Sequence, residues 1–155
     1  MIALLQRVTK AQVTVTEEII ASIGPGLLVL VGIERGDSPS QAIRLLERLL
    51  SYRIFSNAQG RMNQSLADIK GSLLLVPQFT LAADTRKGTR PSFTPAASPA
   101  LGKQLFDCLL AHAKILYPKL AAGRFGAHMQ VTLTNDGPVT FTLRIPPEIK
   151  EQSPT

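Results

Sequence analysis

The chain has 155 residues, 45% of them apolar, which is room for one domain with a real core and too little for two ordinary ones. A single cysteine, Cys108, excludes an intrachain disulfide and a cysteine metal cluster, and two histidines, His112 and His128, are too few for most histidine-built metal sites. The formal net charge of +6 suits a polyanionic partner such as RNA, and equally a merely basic soluble protein.

Met1 to Thr9 reads as a first strand. It has no basic-then-apolar leader, and the apolar runs Leu27–Val31 and Leu73–Val76 are too short to cross a bilayer. The expectation is a cytoplasmic protein with no membrane partner. Gln12 to Thr16 alternates apolar and polar residues, the period of a half-buried strand. Glu17-Glu18 reads as a turn and Ile19 to Ile23 as the return strand. Gly24-Pro25-Gly26 breaks the chain, and Leu27 to Ile33 is a buried strand. A helix follows, with Ser38 as cap, Pro39 in its first turn and Gln41 closing a Ser-x-x-Gln box. Ala42, Ile43, Leu45, Leu46, Leu49 and Leu50 form its apolar face.

Residues 52–55 suit a short strand, Asn57 to Gly60 a turn, and Leu73 to Val76 a buried strand. Pro77 to Pro95 has no regular period, and a loop of that length inside a compact domain is often functional. Ser98-Pro99 opens a second helix with Leu101, Leu105, Leu109 and Leu116 on its buried face, stopped by Pro118. Residues 128–134 and 139–145 are candidate paired strands around Asn135-Asp136-Gly137-Pro138. The pattern predicts an α+β fold, with a single domain over 1–146 and a flexible tail over 147–155.

Walker, Rossmann and Gly-x-Ser-x-Gly patterns are absent. His112 reads as a helix-face residue, His128 as a surface or core residue at a strand start, and Cys108 as a small core residue. Two stretches stand out. Pro77-Gln78-Phe79-Thr80 ends a buried strand and offers an amide and a hydroxyl where sites are commonly built, although a polar strand terminus has the same composition. Asn135-Asp136-Gly137-Pro138-Val139-Thr140 has the composition of a hairpin turn. Its proline directly follows glycine ahead of a strand, which raises the chance of a cis bond.

With their surroundings, both stretches resemble the D-aminoacyl-tRNA deacylase family. The resemblance runs from Met1 to about Ile145 and includes Gln6-Arg7-Val8, Tyr52-Arg53-Ile54-Phe55, Met62-Asn63, Gln78-Phe79-Thr80-Leu81, Ala83-Asp84-Thr85, Arg90-Pro91-Ser92-Phe93, Gly123-Arg124-Phe125 and Met129-Gln130-Val131. It implies a three-layer β/β/α fold with mostly antiparallel strands, and a homodimer with sites at the subunit interface. It implies that Gly137 and Pro138, joined by a cis bond, act as a chiral filter reaching into the partner's pocket, held by Arg7. Gln78, Phe79 and Thr80 would line the catalytic pocket, flanked by Phe125, Gly126 and Met129. One departure is Pro77, where the family usually has serine.

The implied reaction is hydrolysis of the ester of D-aminoacyl-tRNA, and of glycyl-tRNA, with no cofactor and no metal. Backbone amides near Phe79 and Thr80 are candidate oxyanion donors. Either Thr80 or the tRNA 2′-hydroxyl assists, and the second is favoured because no base is placed to activate Thr80. Arg86, Lys87 and Arg90 are candidate tRNA contacts, or simply solvated. The main rival is a non-catalytic basic RNA-binding module on the same fold. A general esterase is the other, and the missing triad argues against it.

Overall fold

The computed structural model describes residues 1–148. In chain order its elements are β1 (Ile2–Val15), β2 (Glu18–Ile23), β3 (Gly26–Gly32), α1 (Pro39–Ser51), β4 (Phe55–Ser56), β5 (Met62–Gln64), α2 (Leu66–Ile69) and β6 (Ser72–Pro77). A 3-10 turn (Phe79–Ala82), α3 (Pro99–Leu116), β7 (Leu120–Ala122) and β8 (Gln130–Arg144) complete it.

The main sheet is organised by β1, which is one 14-residue strand rather than the two segments its sequence suggests. Its first half, Ile2–Val8, pairs antiparallel with β3, and its second half, Ala11–Val15, pairs antiparallel with β2. The tight turn between β1 and β2 uses Thr16 and Glu17, both at positive φ, one residue earlier than expected. Along its other edge β1 carries β8, from Arg144 opposite Ile2 to Gln130 opposite Thr14. The expected hairpin of 128–134 with 139–145 is therefore corrected. The two segments lie end to end in one strand, because β1 is long enough to pair with both and the turn residues between them bulge out instead. Strands β3, β6 and β7 run parallel, so the sheet is mixed.

Alternation along β3 and β6 makes the layers. Leu27, Val29, Leu73 and Leu75 face the helices, where they meet Leu45, Leu49, Leu105 and Leu109. Leu28, Leu74 and Val76 face the other way and meet Val13, Ala21 and Ile23 from the far half of β1 and from β2. Strands buried on both faces read as continuous apolar runs, which is what Leu27–Val31 and Leu73–Val76 are. The result is a β/β/α arrangement with two apolar interiors.

Helix α1 starts as expected, with Gln41 Oε1 accepting from the Ser38 amide at 2.7 Å. Ser98 Oγ accepts from the Leu101 amide at 3.3 Å at the start of α3. Leu105, Phe106, Leu109 and Ala113 form the buried face of α3, whereas Leu116, expected there, is exposed at its last turn. Cys108 is half-buried rather than core, and His112 Nδ1 lies 3.0 Å from the Cys108 carbonyl.

The α-ammonium of Met1 is buried. It donates to Glu34 Oε2 and Asp37 Oδ1, both at 2.9 Å, and to the Ile145 carbonyl at 2.7 Å. Burial draws the Glu34 carboxyl upward, but the Met1 ammonium and the Arg144 guanidinium outweigh it and hold the group below its ordinary value. At Asp37 burial wins, and its carboxyl is pushed up despite the same ammonium. Past this cluster, Pro147 lies over Gly36 and Glu148 accepts from Ser40 Oγ at 3.0 Å. The rest of the expected tail, 149–155, lies outside the described residues.

Candidate active site

Strand β6 ends at Pro77, and the sheet ends one residue later, where the Gln78 amide donates to the Val31 carbonyl at 2.8 Å. The chain then turns sharply. The Leu81 amide donates to the Gln78 carbonyl at 3.2 Å and the Ala83 amide to the Thr80 carbonyl at 3.1 Å. The amides of Phe79 and Thr80 open this turn and, among the described residues, donate to no backbone carbonyl. The Gln78 side-chain amide donates to Thr80 Oγ1, which ties the two polar side chains together. Gly32, at the end of β3, lets the turn sit this close. A Cβ there would stand 2.8 Å from Leu81 Cβ and 3.1 Å from the Gln78 carbonyl oxygen.

Beside the turn is a cavity of about 450 Å³. Pro77, Gln78 and Phe79 form one wall, and Phe125, Gly126 and Met129 another. Phe125 lies against α3, with its ring over Gly102 and 6.4 Å from the ring of Phe106. Met129 Sδ lies under Gly123 and 3.4 Å from the Arg124 amide, which fixes the segment before β8. Ala97, Ser98 and Pro99 at the start of α3, with His128, also line it. The sequence does not mark these four as wall residues. The signal available was the cap Ser98-Pro99, since a helix that starts next to a cavity contributes its cap to the wall.

A second constellation sits on the β1–β8 pair. Register places Gln6 opposite Thr140 and Val8 opposite Asn135, so Asp136, Gly137, Pro138 and Val139 bulge out opposite Arg7 alone. The Gly137–Pro138 peptide bond is cis. Arg7 Nε donates to the Asp136 carbonyl at 2.8 Å and Nη1 to the Ile54 carbonyl at 3.0 Å. Asn135 Oδ1 accepts from the Val139 amide at 2.7 Å, and its Nδ2 donates to Thr140 Oγ1 at 2.8 Å. Gly137 has φ +143°, and a Cβ there would stand 2.6 Å from Val139 Cγ2 and 3.3 Å from an Arg7 Nη atom.

Five of the expected site residues, Gln78, Phe79, Phe125, Gly126 and Met129, meet around one cavity. Thr80 is joined to it through Gln78. Arg7, Gly137 and Pro138 meet each other on the sheet edge and do not line the cavity of their own chain. In the long loop, Arg86 is committed to Asp84, with Nε and Nη2 on its two carboxylate oxygens at 2.9 and 2.8 Å. These bonds bring the Asp84 carboxyl down to about 2. Lys87 and Arg90 are exposed and carry no ion pair among the described residues. No three His, Cys, Asp or Glu side chains converge to hold a metal ion among those residues, and no helix there is long and apolar enough to cross a membrane.

A three-layer α+β domain with free amide donors beside an apolar cavity, and no triad among the described residues, fits a hydrolase that works by positioning and electrostatics. The family model described as D-Tyr-tRNA(Tyr) deacylase matches residues 4–144, and the chain belongs to that family. A D-aminoacyl-tRNA deacylase of Nitrosococcus oceani is 74% identical over 150 residues, covering 97% of each chain. One of Thioalkalivibrio sulfidiphilus is 62% identical, covering 95% of this chain and 99% of the relative. A solved structure described as c-Myc DNA Unwinding Element Binding Protein superposes with a TM-score of 0.90 at 36% identity, covering 94% of this chain and 99% of that one. Another, described as a probable eukaryotic D-amino acid tRNA deacylase, has a TM-score of 0.80 at 18% identity, covering 93% and 98%, and supports the fold.

Proposed function

We propose that the cavity beside Gln78 and Phe79 is where D-aminoacyl-tRNA is hydrolysed to tRNA and the free D-amino acid. The observation that carries this reading is the turn after β6, which leaves the amides of Phe79, at the cavity wall, and of Thr80, next to it, without backbone acceptors. Water adds to the ester carbonyl, and the oxyanion accepts hydrogen bonds from those amides. Collapse expels the tRNA 3′ oxygen, which takes a proton relayed from the water through the neighbouring 2′-hydroxyl. The relay is preferred to attack by Thr80. The Thr80 hydroxyl is engaged by Gln78, and no histidine or carboxylate hydrogen-bonds it among the described residues.

Gly137 and Pro138 of a second copy are the chiral filter in this reading, and Arg7 and Asn135 hold them. Two copies are needed because the bulge does not line its own cavity. Backbone that approaches the α-carbon rejects an L side chain and accepts a hydrogen, so glycyl-tRNA is also a substrate. Residues 1–146 act as one cytoplasmic domain, and the reaction uses no metal. A second reading, nucleic-acid binding without hydrolysis, draws on the net charge and on the DNA-binding neighbour. At equal enzyme, the protein is expected to discharge D-tyrosyl-tRNA and spare L-tyrosyl-tRNA. Equal rates on both would sink the filter, and binding with no hydrolysis would favour the second reading.

A further inference from the structure

Phe93 belongs to the Arg90-Pro91-Ser92-Phe93 stretch, which the ester-hydrolysing cavity does not use. Its ring is exposed and lies 5.1 Å from that of Phe79, centroid to centroid, at 55°. Two neighbouring phenylalanines with free faces are costly in water unless something covers them. They border a second recess of about 540 Å³, whose other walls include Arg35, Gly36, Ala96 and Leu101. This recess shares Phe79, Ala97, Ser98 and Pro99 with the first cavity, so the two are separated by one common wall.

The recess is also built firmly. The Arg35 amide donates to the Pro95 carbonyl, the Ala97 amide to Ile33 and the Ala96 amide to Phe93, each at 3.0 Å. Phe93 is thereby stitched to the end of β3. Arg35 Nε lies 3.4 Å from the Ala96 carbonyl, which lays the side chain along the recess, and Arg35 has no carboxylate partner among the described residues. An aromatic face and an uncompensated guanidinium at the edge of one recess are the chemistry that holds a nucleotide, with the base stacked and the phosphate paired.

We propose that this recess binds the penultimate nucleotide of the tRNA acceptor end, with Phe93 stacking its base and Arg35 pairing with the phosphate that joins it to the esterified terminal nucleotide. The proposal rests on the reading of the first cavity as the ester site. A polynucleotide whose last nucleotide enters that cavity must leave it through a neighbouring recess, and the shared wall sets which one. Phe93 and Arg35 are positioning residues here, since they hold the substrate and touch no reacting atom.

The test compares D-tyrosyl-tRNA with a 3′-O-D-tyrosyl-adenosine ester, which lacks the penultimate nucleotide, on wild type, Phe93→Leu and Arg35→Gln. For each variant the ratio of kcat/KM on tRNA to kcat/KM on the short ester is expected to fall about tenfold, through KM rather than kcat. Arg35→Gln should also flatten the dependence of log KM on log salt by about 0.7. An unchanged ratio in both variants overturns the proposal, as does an equal loss on both substrates. A change of sedimentation without a change of ratio overturns it too, and assigns the recess to a second copy of the chain. Wild type inactive on both substrates would instead overturn the reading of the ester site and this proposal with it. Thermal melts of both variants separate unfolding from loss of binding, and Arg35→Gln, at an exposed side chain, keeps the test alive if Phe93→Leu is unstable.

Discussion

The buried α-ammonium of Met1 shows how much one charge can organise. Its two carboxylate partners, Glu34 and Asp37, come from the segment between β3 and α1, and its carbonyl partner, Ile145, follows β8. The ends of β1, β3 and β8 are thus locked together. Glu34 is held below its ordinary value of 4.5, so the folded state binds this proton less tightly than the unfolded chain. Its contribution is therefore present above that ordinary value and is lost as pH falls through the lower folded value. Asp37 is shifted the other way and contributes with the opposite sign. Replacing Glu34 with Gln keeps Asp37 but also removes the neighbouring negative charge that helps raise it, so the difference between the two proteins reports the Glu34 charge together with its effect on Asp37. Urea melts are expected to show Glu34→Gln about 2 kcal/mol less stable at neutral pH. The gap should narrow as pH falls from the ordinary value through the lower folded one, and a gap constant with pH would refute the assignment.

At the scale of elements, what the sequence makes legible is what local chemistry controls. The cap Ser38 with Gln41 and the cap Ser98 with Pro99 set the starts of α1 and α3 without help from the rest of the chain. The two-faced apolar runs of β3 and β6 announce burial on both sides. What is not legible depends on partners far away in sequence. Asn135 to Pro138 has the composition of a turn, and Asp136 to Val139 do leave the ladder, but β1 continues past them and β8 resumes pairing at Thr140. β7 has only three residues and exists because β6 offers it an edge. The candidate site divides the same way. Gln78 and Phe79 are legible as a strand end, whereas the wall at Ala97 and Ser98 follows from where α3 docks. Gly32 joins the two levels, because the missing Cβ of one strand sets the position of the next strand's terminal turn. Gly32→Ala should push Leu81 and the Gln78 carbonyl away and disorient the Phe79 and Thr80 amides. The expected result is a loss of kcat of about a hundredfold, the scale of removing one oxyanion donor. The thermal midpoint should fall as well, because neither the Leu81 Cβ nor the Gln78 carbonyl is a flexible side-chain end that yields cheaply. A large fall in stability with normal kcat in the folded fraction would show that the contact is structural only.

At the scale of the whole molecule, the two constellations lie on different parts of one chain. The β8 bulge is clamped by Arg7 and Asn135, while the cavity is enclosed by β6, α3 and the segment before β8. Gly137 and Pro138 do not line that cavity, so the proposed filter can serve only if a second chain supplies it, in the self-complementary manner of a two-fold dimer. Complementation tests this directly. Gln78→Ala disables the cavity and leaves the bulge intact. Gly137→Ala disables the bulge, because its Cβ meets Val139 and its φ disfavours any side chain, and leaves the cavity intact. Each variant alone is expected to have little activity. Unfolded together and refolded as a mixture, half of the dimers are mixed, and each of those has one site with both parts native. Activity on D-tyrosyl-tRNA should therefore return to about a quarter of the wild-type value. No recovery from a mixture that sedimentation shows to be dimeric would mean that cavity and bulge act within one chain, and full activity of Gly137→Ala alone would mean that the bulge plays no part in the reaction.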